Sequence, residues 1–263
     1  MTAKPKRLKI LIIPMLPTFF GRRYQLAKHL AKNHEVHLLT WTMPYPFTLK
    51  NLSNSLLCSW KKSDYKKDGI IIHKIRRLPF FMPPINRSLF RKQVREINQK
   101  YKLDGIISQS FFNETEPPEE LPLYFDYNDD YPMFAKIYGS LLYKFAYTVL
   151  GVNKAIKEQL KRARAVFAVS SLLEDKASQL NPRVFKIPNG VDDILIDIAT
   201  TNQDTKFKKH SISYVSTFGR WSQILPLIDV VADMKHEFPD IHLTLVGDGS
   251  ELLAARQLIK SRS

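Results

Sequence analysis

Three carboxylates stand close together in Leu123-Tyr124-Phe125-Asp126-Tyr127-Asn128-Asp129-Asp130-Tyr131-Pro132. Asp126, Asp129 and Asp130 are the candidate catalytic groups. Carboxylates this close push one another's pKa values apart, leaving one as a base and another protonated, and together they can hold the hydroxyls of a sugar. The same residues suit a second role, since Asp129 or Asp130 ahead of a helical stretch also makes an N-cap.

A second group of residues is suited to anions. Gly21-Arg22-Arg23 would deliver a glycine and two guanidinium groups to a helix N-terminus, where backbone N–H groups already attract negative charge. Gly21 serves equally well as a simple turn residue. Phe218-Gly219-Arg220-Trp221 repeats the arrangement later in the chain, and an arginine there can neutralise a diphosphate whose charge grows as it leaves. Gly247-Asp248-Gly249 is a further strand-to-helix turn, and Pro188-Asn189-Gly190 a sharp exit from a strand. Residues Arg87, Arg91 and Arg95 form one basic stripe at helical spacing, just after the apolar segment containing Phe80 and Phe81. A stripe and an aromatic loop of this kind can meet an anionic membrane face, although such aromatics also fold back into cores.

Other chemistries find no support. The seven histidines include no pair at the i, i+4 spacing of a helical metal site, so no metal site is expected. Ser170-Ser171 lacks the Gly-x-Ser-x-Gly elbow of a hydrolase nucleophile. Cys58 is the single cysteine, which excludes an internal disulfide and fits a reducing compartment. The longest greasy stretch, residues 137–152, is interrupted by Lys144 and falls short of a membrane span, so a cytoplasmic protein, peripheral at most, is expected.

The elements that must position these residues alternate β-branched runs with amphipathic stretches, the pattern of parallel α/β sheets. Strands are expected at 8–13, 35–41, 69–75, 104–108, 122–126, 165–169 and 183–187, with the clearest helices at 86–100 and 152–164. These seven strands form a Rossmann-like domain over residues 1–192. Residues 193–211 read as a linker, polar and patternless from 199 onward. A second Rossmann-like domain opens at 212, with a strand to 218, a helix over 222–236 and a strand at 241–246, and is incomplete at 263.

Net charge is +15, and its distribution is uneven: the first hundred residues hold 21 Lys and Arg against four Asp and Glu. Such asymmetry points to an anionic partner, whether membrane, phosphorylated substrate or nucleic acid, or to a solvated basic face. No nucleic-acid motif accompanies the charge, which ranks nucleic acid last.

Taken together, Lys186-Ile187-Pro188-Asn189-Gly190-Val191-Asp192, Tyr214-Val215-Ser216-Thr217-Phe218-Gly219-Arg220-Trp221 and Pro239-Asp240-Ile241-His242-Leu243-Thr244-Leu245-Val246-Gly247-Asp248-Gly249 resemble the family 4 (group 1) glycosyltransferases of the GT-B fold. The resemblance implies transfer of a sugar from a nucleotide-sugar donor to a glycan or lipid-linked acceptor, with retention of configuration and with no metal or other cofactor. It implies a donor side that includes Arg220, Asn189, Gly190, Gly247 and Gly249, and an acceptor side at Gly21, Arg22 and Arg23. Two departures stand out. Ser222-Gln223 replaces a Lys-Gly pair common in the family, and the paired-glutamate motif would fall beyond residue 263, so the chain is expected to be C-terminally truncated and weak or inactive as a transferase. The alternative is a non-catalytic basic domain that holds anionic glycan or a membrane surface.

Overall fold

A computed structural model of the protein describes residues 6–14, 21–41, 63–77, 83–110, 115–138, 148, 151–201 and 210–262. The chain divides into two compact units, Met1–Asp192 and Asp193–Ser263.

The first unit is built on an eight-stranded sheet in the order β3-β4-β2-β1-β5-β6-β7-β8. Its strands are β1 (Lys9–Ile13), β2 (Glu35–Thr40), β3 (Ser63–Lys67), β4 (Ile70–Lys74), β5 (Gly105–Ser108), β6 (Leu123–Tyr127), β7 (Ala165–Ala168) and β8 (Val184–Lys186). All neighbours run parallel except β3 and β4. Parallel strands covered on both faces read as unbroken aliphatic runs, and β1 follows that rule: Leu11 and Ile13 enter one core while Ile10 and Ile12 enter the other. Helix α1 (Arg22–Ala31) covers the second face through Tyr24 and Ala27, and α2 (Pro83–Tyr101) covers the first through Phe90, Val94 and Ile97. The first face also receives α4 (Val152–Arg162) and α5 (Ser171–Ser178), while the short α3 (Tyr131–Tyr138) follows β6.

Strand β3 departs from the seven-strand expectation. Ser63-Asp64-Tyr65-Lys66-Lys67 has no aliphatic residue and is exposed along its length, so periodicity carried no sign of it. Asp68 (φ 49) and Gly69 (φ 77) form the two-residue turn that folds it back on β4, with Lys67 opposite Ile70. Lysines on an exposed edge strand discourage further pairing.

In the second unit, α6 (Asp193–Thr201) occupies the first half of the stretch expected to be a linker; residues 202–209 lie outside the described residues. Strands β9 (Ser211–Val215) and β10 (His242–Val246) pair in parallel, and α7 (Ile224–Met234) and α8 (Leu252–Arg262) pack together with them. The helix expected to begin at 222 starts two residues later, because a 3₁₀ turn at Arg220–Ser222 and a left-handed Gln223 (φ 53) precede it. Ile224, Ile228 and Ala255 close over Phe218 to make its core.

Candidate functional site

In the first unit, β1 pairs with β2 on one side and β5 on the other, and the sheet extends outward through β4 and β3 on the first side and through β6, β7 and β8 on the second. Open α/β sheets bind ligands at such a reversal, outside the carboxyl ends of the strands. The polar residues that converge there come from four connections: Gly21 and Arg22 at the start of α1, Gln109 after β5, Asp126 near the end of β6, and Asn189 after β8.

Arg22 is the centre of this group. Its Nε donates to Asp126 Oδ2 at 3.1 Å and its Nη2 to Asp126 Oδ1 at 3.0 Å, a two-pronged carboxylate grip. The remaining N–H groups go to the carbonyl oxygens of Ile187 and Pro188 at 3.0 Å and to Asn189 Oδ1 at 3.1 Å. A guanidinium has five N–H donors, and these contacts occupy all of them. Arg22 was expected to meet an external anion; instead it joins α1 to β6 and to the segment leaving β8. Gly21, at φ 79, is the left-handed residue that lets the chain turn into α1, and no atom lies close to where its Cβ would be. Asn189 is drawn into the same clamp, while Gly190 beside it is open.

The three aspartates separate into three roles. Asp126 is 1 % exposed and is held by Arg22 and by Gln109 Nε2, which makes it an internal counter-charge and not a free base. Asp130 accepts from the Met133 N–H at 3.3 Å, capping α3, and pairs with Lys176, so the capping role expected of this segment falls to it. Asp129 is exposed, with the Tyr131 hydroxyl 3.1 Å from its Oδ2. Partial desolvation by its surroundings raises its pKa, and the Tyr131 hydrogen bond opposes the rise. Tyr131 itself is pushed well above the ordinary tyrosine value, by burial first and by the Asp129 charge next. Beside it, burial draws the Arg23 guanidinium down, with Tyr131 acting in the opposite sense.

The arginine stripe on α2 meets carboxylates. Arg87 and Arg91 pair with Glu116, Arg91 also approaches Glu119 at 3.7 Å, and Arg95 Nε donates to Glu120 at 2.6 Å. Arg162 closes the same group from α4, with its Nη1 donating to Pro117 O at 2.9 Å. The stripe therefore fastens residues 115–121 to two helices, a partnership across more than twenty residues that spacing along α2 did not show. Phe80 and Phe81 lie outside the described residues. Among the described residues no helix is long and apolar enough to cross a membrane, and no three His, Cys, Asp or Glu side chains gather as a metal site would need.

In the second unit the two strand-to-helix loops lie against each other. Phe218 N–H donates to Asp248 O and Glu251 N–H to Phe218 O, both at 2.8 Å. A Cβ on Gly247 would sit 1.9 Å from Ser216 O, and one on Gly249 would sit 2.5 Å from Phe218 O. These glycines are required by loop-on-loop contact. Gly219 is covered by the Trp221 ring, 2.5 Å from where a Cβ would be. Arg220 is exposed at the turn, with no side-chain hydrogen bond or ion pair among the described residues.

Sequence reasoning missed Gln109, although its place directly after the strand beside β1 marks it. Its Nε2 is committed to Asp126, while its buried Oε1 has no partner among the described residues.

No family model matches the chain, and no curated protein matches it by sequence. Solved structures do match by shape. The E. coli trehalose-6-phosphate structure bound with UDP-2-fluoro glucose aligns with a TM-score of 0.51 at 10% identity, over 96% of this chain and 69% of that one. The α,α-trehalose 6-phosphate synthase of Burkholderia multivorans aligns at 0.52 and 9% identity, over 97% of this chain and 66% of its own. The fold is of the GT-B type. At such identities the likeness concerns architecture alone: a unit with an eight-stranded sheet followed by a unit with two parallel strands.

Proposed function

We propose that this chain belongs to a nucleotide-sugar-dependent glycosyltransferase. In this reading a sugar passes, with retention of configuration, from a nucleoside diphosphate to a glycan or lipid-linked acceptor. The observation that carries the reading is the convergence of Arg22, Gln109, Asp126 and Asn189 at the carboxyl ends flanking the strand reversal, in a fold shared with a structure bound to UDP-2-fluoro glucose. Asp129 is the carboxylate best suited to an acceptor hydroxyl, because Asp126 and Asp130 are committed to internal partners. Arg220 is the cation best suited to a donor diphosphate, because it is exposed with no side-chain partner among the described residues, whereas Arg22 is saturated. Within the first unit, the Arg22 and Asp126 clamp holds in place the strand that leads into Asp129. The pairing of Arg87, Arg91 and Arg95 with glutamates weighs against the alternative of a membrane-binding stripe.

The test is calorimetric titration of the purified chain with UDP-glucose, GDP-mannose and ADP-glucose. Binding of one nucleotide sugar, weakened roughly 10- to 100-fold by Arg220→Ala as expected for loss of a charge-assisted contact, supports the reading. Binding to anionic glycan or liposomes with no response to any nucleotide sugar refutes it in favour of the basic binding module.

A further inference from the structure

His37 on β2 and His73 on β4 face each other inside the first unit, 0% and 1% exposed. His37 Nδ1 lies 2.9 Å from His73 Nε2, and the rings are nearly parallel, 10° apart. The outer nitrogens meet carboxylates: His37 Nε2 is 3.1 Å from Glu35 Oε1, and His73 Nδ1 is 3.0 Å from Asp64 Oδ1. The chain Glu35, His37, His73, Asp64 thus runs across β2, β4 and the edge strand β3. Tyr101 of α2 covers both rings, at 4.4 and 5.4 Å between centroids. Among the described residues, Lys9 of β1, which donates to Tyr101 O at 2.9 Å, and Lys100 of α2, which is 3.8 Å from Asp64, also bear on the group.

Counting protons shows what this arrangement demands. Three contacts need three bridging hydrogens, and two neutral imidazoles supply only two. The intact chain therefore holds one extra proton, compensated by carboxylates at its two ends. A fourth proton would set N–H against N–H between the rings and break the central contact, at a buried position where two like charges repel strongly. Burial, the neighbouring His73 and Lys9 all pull the pKa of His37 below the ordinary histidine value, while Glu35 pulls it up.

We propose that His37 and His73 form a one-proton pair that makes the edge hairpin β3–β4 sensitive to acid. Above the ordinary histidine range the pair and its carboxylates fasten β3 and β4 to β2. On acidification the unfolded chain takes up a proton on each ring while the folded pair accepts fewer. The unfolded state then binds more protons, so stability falls as pH drops below about 6.5, the unperturbed value. The local outcome is release of Ser63–Lys74 from the sheet ahead of the strands around β1.

The experiment uses the whole chain, labelled with ¹⁵N, and follows its imidazole resonances from pH 8 to 5. Starting from the one shared extra proton, His37 and His73 should together gain clearly less than one further proton over that range. Independent titration of both buried rings near 6.5 would overturn the proposal. In urea unfolding, the native chain should lose up to tenfold in its folding constant per pH unit below 6.5, and His73→Gln should flatten that dependence. Identical pH profiles for the two would also overturn it. Should the variant not fold, hydrogen exchange on the native chain decides: residues 63–74 must gain exchange at pH 5.5 relative to β6 and β7, after correction for intrinsic rates, and uniform behaviour refutes the device.

Discussion

Two arginines in closely similar sequence settings have opposite fates in the two units. Arg22 follows a strand and a glycine in the first unit and spends every donor on Asp126, Asn189 and two carbonyl groups. Arg220 follows a strand and a glycine in the second unit and remains exposed. The units differ in the same way. Strand β1 is buried from Ile10 to Ile13, whereas β9 and β10 alternate between exposed and partly covered residues, with one face on the helices. In the first unit, polar groups near the strand ends are consumed by the framework; in the second, a cation is left for something else. An arginine at the strand-to-helix position is thus no guide to ligand binding until its donors have been counted.

The sharpest way to break this contrast is to remove Asp126. Taking one partner from a buried ion pair leaves the other charge uncompensated, and Asp126→Ala should destabilise the first unit by about 3–5 kcal/mol. Urea unfolding measures this, and a double-mutant cycle with Arg22→Ala should show strong coupling. A loss below about 1 kcal/mol would mean that Arg22 is not the saturated clamp described above.

The second unit is broken instead at its glycines. Gly247→Ala forces a Cβ against Ser216 O, which cannot swing away as a side-chain end could, and should cost about 1–3 kcal/mol through backbone displacement. Hydrogen exchange at Phe218 and Glu251, which bridge the two loops, should increase while exchange in β1 and β5 does not. Arg220→Ala sharpens the contrast from the other direction. Stability should change by less than about 0.5 kcal/mol, as for an exposed residue with no side-chain partner among the described residues, while nucleotide-sugar affinity falls.

How much of this could be read beforehand depended on whether the cause was local. Strands β1, β2 and β5 announce themselves because parallel strands covered on both faces are rich in aliphatic residues, and the cap at Asp130 is legible because capping acts over three residues. Strand β3 is polar because it is an exposed edge; its only signal is the Asp68-Gly69 turn. The grip of Arg22 on Asp126 spans 104 positions, and that of the α2 arginines on Glu116 and Glu120 spans 25 to 29. Only the fold creates such partnerships, which is why residues that looked available along the sequence proved to be occupied. The same holds for His37 and His73, which helical spacing could not pair because they belong to adjacent strands.

The smallest expected effect concerns Asp129, the most exposed of the three candidate aspartates. Partial desolvation raises the folded-state pKa of Asp129 above its unfolded value, so the folded state binds the proton more tightly. Its contribution is most favourable below the unfolded carboxylate value and is lost as pH rises through the folded one; at neutral pH the ionised group is mildly unfavourable. Asp129→Asn should therefore raise the Tm slightly at pH 7, with the gain shrinking toward pH 4 as the native carboxyl becomes protonated. Framework aspartates behave in the opposite sense, since Asp126→Asn removes the charge that Arg22 requires. Thermal melts of both variants at pH 4 and 7 compare the two cases directly. A stability loss at pH 7 from Asp129→Asn would place this residue in the framework with Asp126 and remove it from consideration as the acceptor-side carboxylate.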